Sequence, residues 1–425
     1  MSPLRVGIVG AGIGGLHLAD RLARLGARPL VFEQADAPGG AIRSLRVEGR
    51  VLEAGPQRVR LTPALRRLVS ELGLDDEMLI APADLPLWIY KAGHLRRVPL
   101  SLSGLLRTDL LDIGARLRLL LEAFRMRPAT DETVADYLTR RFGRAAYADL
   151  LGPLFGGLYA SDPADMLVRH ALQPLMRDLG IDHSSVRARL ARRGPPIPAA
   201  SFRNGLQTLT LAMHNRVQEH VRLGTSVRTI RQTHPGFVLE TSAGDADVDR
   251  VVLTTPASAA ASLLTHSARV AADRLRRLTY NRLVMVYLIS DAPLTGLGFQ
   301  TSFAEPIETR GVTFNGAMLR EGREGLFTAF LGGSRNRALA DAADGTAIEI
   351  AAREFGIVTG HVARPIHIAR AQIPAWDRSW TALDGLTLPS GIYLCANYES
   401  RVGIGGRLAR AERLAGELVG RATHG

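Results

Sequence analysis

Cysteine and lysine are almost missing from this chain: Cys395 and Lys91 are the only examples in 425 residues. A single cysteine excludes an internal disulfide and a cysteine zinc cluster. Aromatic residues make up only 5% of the chain, and no stacking platform or recognised binding motif appears, so nucleic acid is not an expected partner. The histidines show neither an HExxH pattern nor paired spacing, which argues against a metal site. No stretch offers the roughly 18 or more predominantly apolar residues of a membrane span. The apolar start is interrupted by a glycine turn and does not read as a signal peptide. The expectation is a cytoplasmic protein, with at most peripheral contact at the cytoplasmic membrane.

With lysine scarce, arginine carries nearly all of the formal net charge of +12. That excess reflects either a genome's codon bias or a preference for anionic lipid or an acidic substrate. Hydrophobic content of 46% and charged content of 22% are those of a folded globular chain. At this length two or three substructures are expected.

The chemistry is concentrated near the N-terminus, in "RVGIVGAGIGGLHLADRLARLGARPLVFEQADAPGGAIRS". "VGIV" reads as a buried strand, and Leu16, Ala19, Leu22 and Ala23 form the apolar stripe of a helix that stops at Gly26. "PLVFE" is a second strand ending in an acid. Gly10 permits a tight turn, Gly12 lets a pyrophosphate approach the backbone, and Gly15 lets helix and strand pack closely. Glu33 would accept hydrogen bonds from a ribose, and an acid there favours FAD or NAD over NADP. Gly40 and Ala41 would let the chain pass close to the diphosphate, with Arg43 able to neutralise it. The "GPQR" turn would bring backbone amides toward a flavin ring. Two surface turns and a solvated arginine are the plainer alternative. Taken with the first motif, the pattern favours FAD.

Along the rest of the chain, "TPALRRLVSELGLDDEMLI" (62–80) reads as a helix opened by Thr62-Pro63 and closed near Gly73. "LWIYKAGHLRRVPL" is hairpin-like, with its turn at Ala92-Gly93. Helical pattern runs from about 100 to 195, and "RRGPPIPAASFRNG" reads as a linker. Strands follow in "SVRTIRQ", "GFVLETS" and "RVVLTTPA", then a second sheet over 280–335, the strand "GIYLCAN" and a last helix. The expected architecture is α/β: a Rossmann-like FAD-binding domain, a mixed-sheet substrate domain and an inserted helical, membrane-docking domain. The expected boundaries are 1–60, 196–275 and 381–425 for FAD binding, 61–99 and 276–380 for substrate, and 100–195 for the helices.

Taken together, "GGAIRS", "EAGPQRVR", "GLLRTDLLDIGARLRLLLEAF", "LYASDPADML", "SFRNGLQTLTLAM", "GLFTAFLGGSRN" and "CANYESRVGIGG" resemble the protoporphyrinogen and coproporphyrinogen oxidases. These belong to the flavin amine oxidase superfamily, and the resemblance runs nearly end to end. It implies non-covalent FAD, a sheet-floored substrate domain and a helical domain that docks on membrane. It also implies six-electron oxidation of a tetrapyrrole, protoporphyrinogen IX or coproporphyrinogen III, to the porphyrin in haem biosynthesis. Oxygen would be the acceptor and H2O2 a product.

Carried onto this chain, the resemblance implies that Gly10, Ala11, Gly12, Ile13, Gly14 and Gly15 hold the pyrophosphate, with Glu33 and Gln34 at the adenosine ribose. Ala41, Gly55, Pro56, Gln57, Arg58 and Trp376 line the flavin side, and Val227 meets the adenine. Val402, Gly403 and Ile404 would present amides to the flavin pyrimidine near a helix start, where the dipole stabilises charge on the reduced ring. A porphyrinogen oxidase needs flat apolar walls and propionate clamps more than a base, so no catalytic residue is assigned. Arg58 or Arg60 would suit as a clamp, because guanidinium matches carboxylate in a bidentate way; a solvated structural arginine is the alternative for each. Leu319 would join the apolar wall, or simply pack in the core.

Departures from the resemblance bear on the substrate. Gln57 stands where many relatives carry arginine, Ala369 and Trp376 differ from the usual tryptophan-then-tyrosine pattern, and Arg401 replaces a glycine. Arg401 would either disfavour a bulky macrocycle or bind a carboxylate. The rival enzyme is a divergent flavin amine oxidase or dehydrogenase of specialised metabolism. A non-catalytic carrier of a prenylated or lipid partner is a third reading, and it would require a damaged flavin pocket.

Overall fold

The computed structural model of the protein describes residues 2–120, 128–178, 197–399 and 403–422. Arg401 and Val402 lie outside the described residues, as does the end of the helical stretch beyond Asp178.

The first layer is a five-stranded parallel sheet in the order 221–222, 28–32, 5–9, 250–253, 392–394. Strand Arg5–Val9 lies at its centre with Val6, Ile8 and Val9 buried, because a parallel sheet covered on both faces needs an unbroken apolar run. Helix Ile13–Arg24 returns along one face, and Gly26, at φ +80°, ends it through Ala27 N–H on Leu22 O. The C-terminal helix Ile404–Ala422 covers the same face. Leu16, Ala19 and Leu22 meet Leu408, Ala411, Leu414 and Leu418 in one core.

The second layer is a seven-stranded mixed sheet in the order 364–374, 280–289, 326–332, 311–313, 298–301, 87–91, 94–97. Only the 298–301 and 87–91 pair is parallel. Alternation along Tyr280–Ile289 sends Val284, Val286 and Leu288 toward helix Asp344–Thr359. Met285 and Tyr287 point the other way, toward Leu52. The hairpin turn falls at Ala92 and Gly93, both at positive φ (+49° and +79°), which matches the twist of the flanking strands. Between strands His94–Arg97 and Ala199–Phe202 lies a group of short helices, from Leu102–Arg107 to Gln173–Asp178.

Three details differ from the sequence reading. The helix opened by Thr62-Pro63 and closed near Gly73 is present as Pro63–Glu71, but the segment after it holds an unexpected strand, Met78–Ile80, paired to Phe202–Ala200. The expected linker contains strand Ala199–Phe202, whose alternation "AASF" is too short to register as periodicity. Strand Gly244–Val248 was not expected because it forms the polar, mostly exposed edge of a three-stranded sheet.

Candidate active site

The glycine turn separates what the protein's own packing requires from what a ligand requires. Gly10 sits at φ +109°, its N–H donates to Phe32 O at 2.8 Å, and a Cβ there would come 2.6 Å from Thr254 Oγ1. A Cβ on Gly15 would lie 2.1 Å from Gly10 O, so helix and strand touch at that point. Gly12 is different: its backbone is ordinary extended chain (φ −71°, ψ 174°), and a Cβ there would meet no atom within 4 Å. Nothing in the protein demands glycine at this position. It caps helix Ile13–Arg24, which has no side-chain cap and no acid in its first turn. A bare, unstrained cap in front of first-turn N–H groups suits a phosphate, so these residues fit a dinucleotide.

Twenty-odd residues further on, the chain returns to the turn. Gly39 N–H donates to Ala11 O at 2.9 Å, and a Cβ on Gly40 would be 3.3 Å from Gly12 Cα. Gly55 then closes on Ala41, whose carbonyl would be 2.1 Å from a Gly55 Cβ. Arg43 is exposed, and its carbonyl accepts from Ala54 N–H at 2.8 Å. Glu33 Oε2 accepts from Ala11 N–H at 2.7 Å and Oε1 from Ala35 N–H at 3.0 Å. That holds the acid beside the turn, with Gln34 exposed next to it. The chain before Val227 zips along the same segment: Glu33 N–H donates to Arg222 O, and Thr225 N–H to Glu33 O at 2.7 Å. Val227, half-buried at the start of strand Val227–Gln232, is thereby brought close to Glu33.

The GPQR turn leads into the second layer. Gln57 is buried; its Nε2 donates to Glu53 O at 2.7 Å, and its Oε1 accepts from Asn315 Nδ2 at 3.0 Å. Thr328 Oγ1 donates to Asn315 Oδ1 at 2.8 Å, completing a buried relay into the large sheet. On that face Met285 pairs across the strands with Phe330 and Ala369, an apolar row beside Gln57. Glu53 and Arg323, each 1% exposed, form a buried ion pair at 3.4 Å. Ser44, Ser201 and Leu206 N–H also donate to this carboxylate. Burial pushes the Glu53 carboxyl up, against the pull of its donors.

Arg58 is half-buried by surface yet lies deep within the molecule. It has no hydrogen-bond or ion-pair partner among the described residues, and burial pulls its guanidinium below its ordinary value. Pro56 and Arg60 are exposed, the latter on strand Val59–Arg60. Leu319 packs with Ala81 and Met318 in a small apolar cluster. Trp376 is buried, at φ +55°, and stacks on Trp380 with ring centroids 3.7 Å apart. Gly403, at φ +105°, precedes helix Ile404–Ala422, and Ile404 is buried.

The Glu53–Arg323 pair and the Asn315–Thr328 relay were not foreseen, because a lone acid and a lone amide in apolar segments carry no periodic signal. Thr254 could have been found, since "TTPA" ends an apolar strand in the way the first glycine turn does.

A family model described as flavin containing amine oxidoreductase matches residues 13–383. The chain belongs to that family. It is therefore a flavin-dependent oxidoreductase, and the flavin, when bound, would supply the hydride acceptor. Among curated relatives of the family, the chain is 24% identical to the chloroplastic protoporphyrinogen oxidase of Nicotiana tabacum, over 97% of this chain and 85% of that one. It is 29% identical to the coproporphyrinogen III oxidase of Mycobacterium bovis, over 62% of this chain and 61% of that one. A crystal structure from Exiguobacterium sp. 255-15, assigned provisionally as a protoporphyrinogen oxidase, shares the fold. It has a TM-score of 0.82 at 23% identity and covers 99% of this chain and 100% of its own. Cyclohexylamine oxidase from Brevibacterium oxydans has the fold too, with a TM-score of 0.73 at 15% identity over 99% and 100% of the two chains.

Proposed function

We propose that this chain binds FAD non-covalently and oxidises a porphyrinogen to the porphyrin, with O2 as acceptor and H2O2 as product. One observation carries the reading: named porphyrinogen oxidases match it nearly end to end, at 24% identity over 97% of the chain in tobacco. The amine oxidase structures are less similar in sequence, at 15% identity for cyclohexylamine oxidase.

The site's own chemistry supports the same substrate class. A porphyrinogen loses hydride from a meso carbon while its pyrrole N–H protons leave to solvent, so flat apolar walls and anchors matter more than a base. The Met285, Phe330 and Ala369 row is such a wall. Arg58, deep and without a carboxylate partner among the described residues, would receive a propionate and would repel the ammonium of an amine substrate.

Peripheral membrane contact is part of the proposal. Ile113 and Leu117 lie one helical turn apart and are exposed. Arg116 from the same helix holds the carbonyl of exposed Leu106 at 2.8 Å. No helix among the described residues is long and apolar enough to cross a membrane. Apolar side chains interleaved with arginine suit the surface of an anionic bilayer.

The test supplies protoporphyrinogen or coproporphyrinogen anaerobically and follows bleaching of the flavin, then admits air and follows red porphyrin fluorescence and H2O2. Bleaching by neither substrate would sink the haem-pathway reading and promote an oxidase of another metabolite.

A further inference from the structure

Three helices begin where the parallel strands end. Strand Arg5–Val9 runs into helix Ile13–Arg24, strand Arg250–Leu253 into helix Ala257–Leu264, and strand Ile392–Leu394 toward helix Ile404–Ala422. None of the three carries an acid in its first turn. Their N-termini therefore add positive potential on one side of the sheet, with no side-chain carboxylate in those turns to offset it.

Arg407 lies in the first turn of the last of these helices, and no functional reading of the glycine motifs accounts for it. It is half-buried by surface yet deep in the molecule, and it makes no hydrogen bond or ion pair among the described residues. Its titratable neighbours are Tyr280 and Cys395, neither of them anionic at neutral pH. Both neighbours tie it to the nucleotide turn. Cys395 O would lie 3.3 Å from a Cβ on Gly14, in the first turn of the glycine-motif helix. Tyr280 Oη accepts from Ala257 N–H at 2.9 Å, at the start of the second helix. The neighbouring acid Glu399 is already committed, accepting from Ala396 N–H at 3.0 Å and pairing with Arg410 at 3.5 Å. A guanidinium kept at such depth with no acid among the described residues is costly unless a ligand supplies the anion.

We propose that Arg407 is a cofactor-binding residue, the cation that pairs with negative charge on the bound flavin nucleotide. This rests on the FAD reading. Two parts of that one ligand carry such charge, the pyrophosphate and the pyrimidine edge of the reduced ring. In either case the arginine is held ready by the fold and is satisfied only when the nucleotide is present.

The experiment compares wild type with Arg407→Met and Arg407→Lys. Apoprotein melting, dissociation constants for FAD and for phosphate-free riboflavin, and the ratio of affinities for reduced and oxidised FAD are measured. Apo Arg407→Met should melt at or above the wild-type temperature, because an unpaired buried charge has been removed. If the pyrophosphate is the partner, FAD affinity falls about 10- to 100-fold, riboflavin affinity does not change, and Arg407→Lys recovers part of the loss. If the reduced ring is the partner, oxidised FAD binds as before and preference for the reduced form falls about tenfold or more. Unchanged FAD affinity together with an unchanged reduced-to-oxidised ratio overturns the assignment. So does a lowered apo melting temperature, which would make Arg407 structural. A wild-type protein that binds no flavin would instead overturn the FAD reading itself.

Discussion

Replacing Gly12 and Gly15 one at a time separates ligand from scaffold within four residues. Gly12 has unstrained extended backbone, and a Cβ there meets nothing within 4 Å, so Gly12→Val should fold, at only the modest cost of placing valine where an N-cap prefers glycine. Loss of glycine's freedom in the unfolded chain offsets that cost by up to about 1 kcal/mol. The valine methyls would occupy the space in front of the helix cap through which the pyrophosphate must approach. The variant should therefore lose the stabilisation that the cofactor adds, about 2.7 kcal/mol when free flavin is at 100 times its dissociation constant. Gly15→Ala does the reverse. Its Cβ would lie 2.1 Å from Gly10 O, and helix and strand must part, at a cost of about 1–3 kcal/mol or more even without ligand. The assay is thermal melting of each protein with and without FAD, together with flavin absorbance per mole of purified protein. Gly12→Val should melt like wild-type apoprotein and show no FAD-dependent rise; Gly15→Ala should melt low in both conditions. Stoichiometric flavin in purified Gly12→Val would refute the nucleotide assignment, and an apo melting loss equal to that of Gly15→Ala would refute the steric argument.

Arg323→Met should destabilise the fold by about 3–5 kcal/mol, because it leaves the Glu53 carboxylate buried without its cation. Adding Glu53→Gln should recover part of that loss in urea unfolding, and a double variant no better than the single one would contradict the pairing. Burial pushes the Cys395 thiol up to about 12, so native protein should not react with a thiol reagent at pH 8, while denatured protein should titrate one thiol. The same raised value means that its contribution to stability is complete below the ordinary thiol range of about 8.5 and fades as pH rises toward 12. His17 is 1% exposed, and burial lowers its imidazole, with Arg21 adding to the effect and Glu412 and Asp20 opposing it. The unfolded chain then takes up a proton that the native chain refuses, so stability should fall as pH drops below about 6.5. His17→Gln should flatten that slope, and an unchanged slope would remove His17 as its cause. Co-sedimentation with anionic liposomes should exceed that with neutral ones at low salt, and Ile113→Glu with Leu117→Glu should abolish the difference; equal binding to both lipids would count against the membrane contact.

The glycine turn was legible because its signals are local. A strand, three spaced glycines, an amphipathic helix and a second strand ending in Glu33 all lie within about thirty residues, and each follows from short-range sterics and periodicity. The hairpin turn at Ala92-Gly93 and the stop at Gly26 could be read for the same reason. Other features had no local mark, because they depend on distant parts of the chain arriving together. A sequence cannot say that Gly12 is free of its own protein while Gly15 is not; that needs the position of every neighbouring atom. Nor can it say that Glu53 meets Arg323, 270 residues away, instead of water. The arginines show this most plainly. Fifty-two of them read alike along the chain, since one of the 53 basic residues is Lys91. Only tertiary burial separates Arg323, paired in the core, from Arg60, exposed on a strand, and from Arg58 and Arg407, held deep without an acid among the described residues. Charge is written in the side chain, but its consequence is set by desolvation and by the nearest counter-charge, and both are properties of the folded molecule.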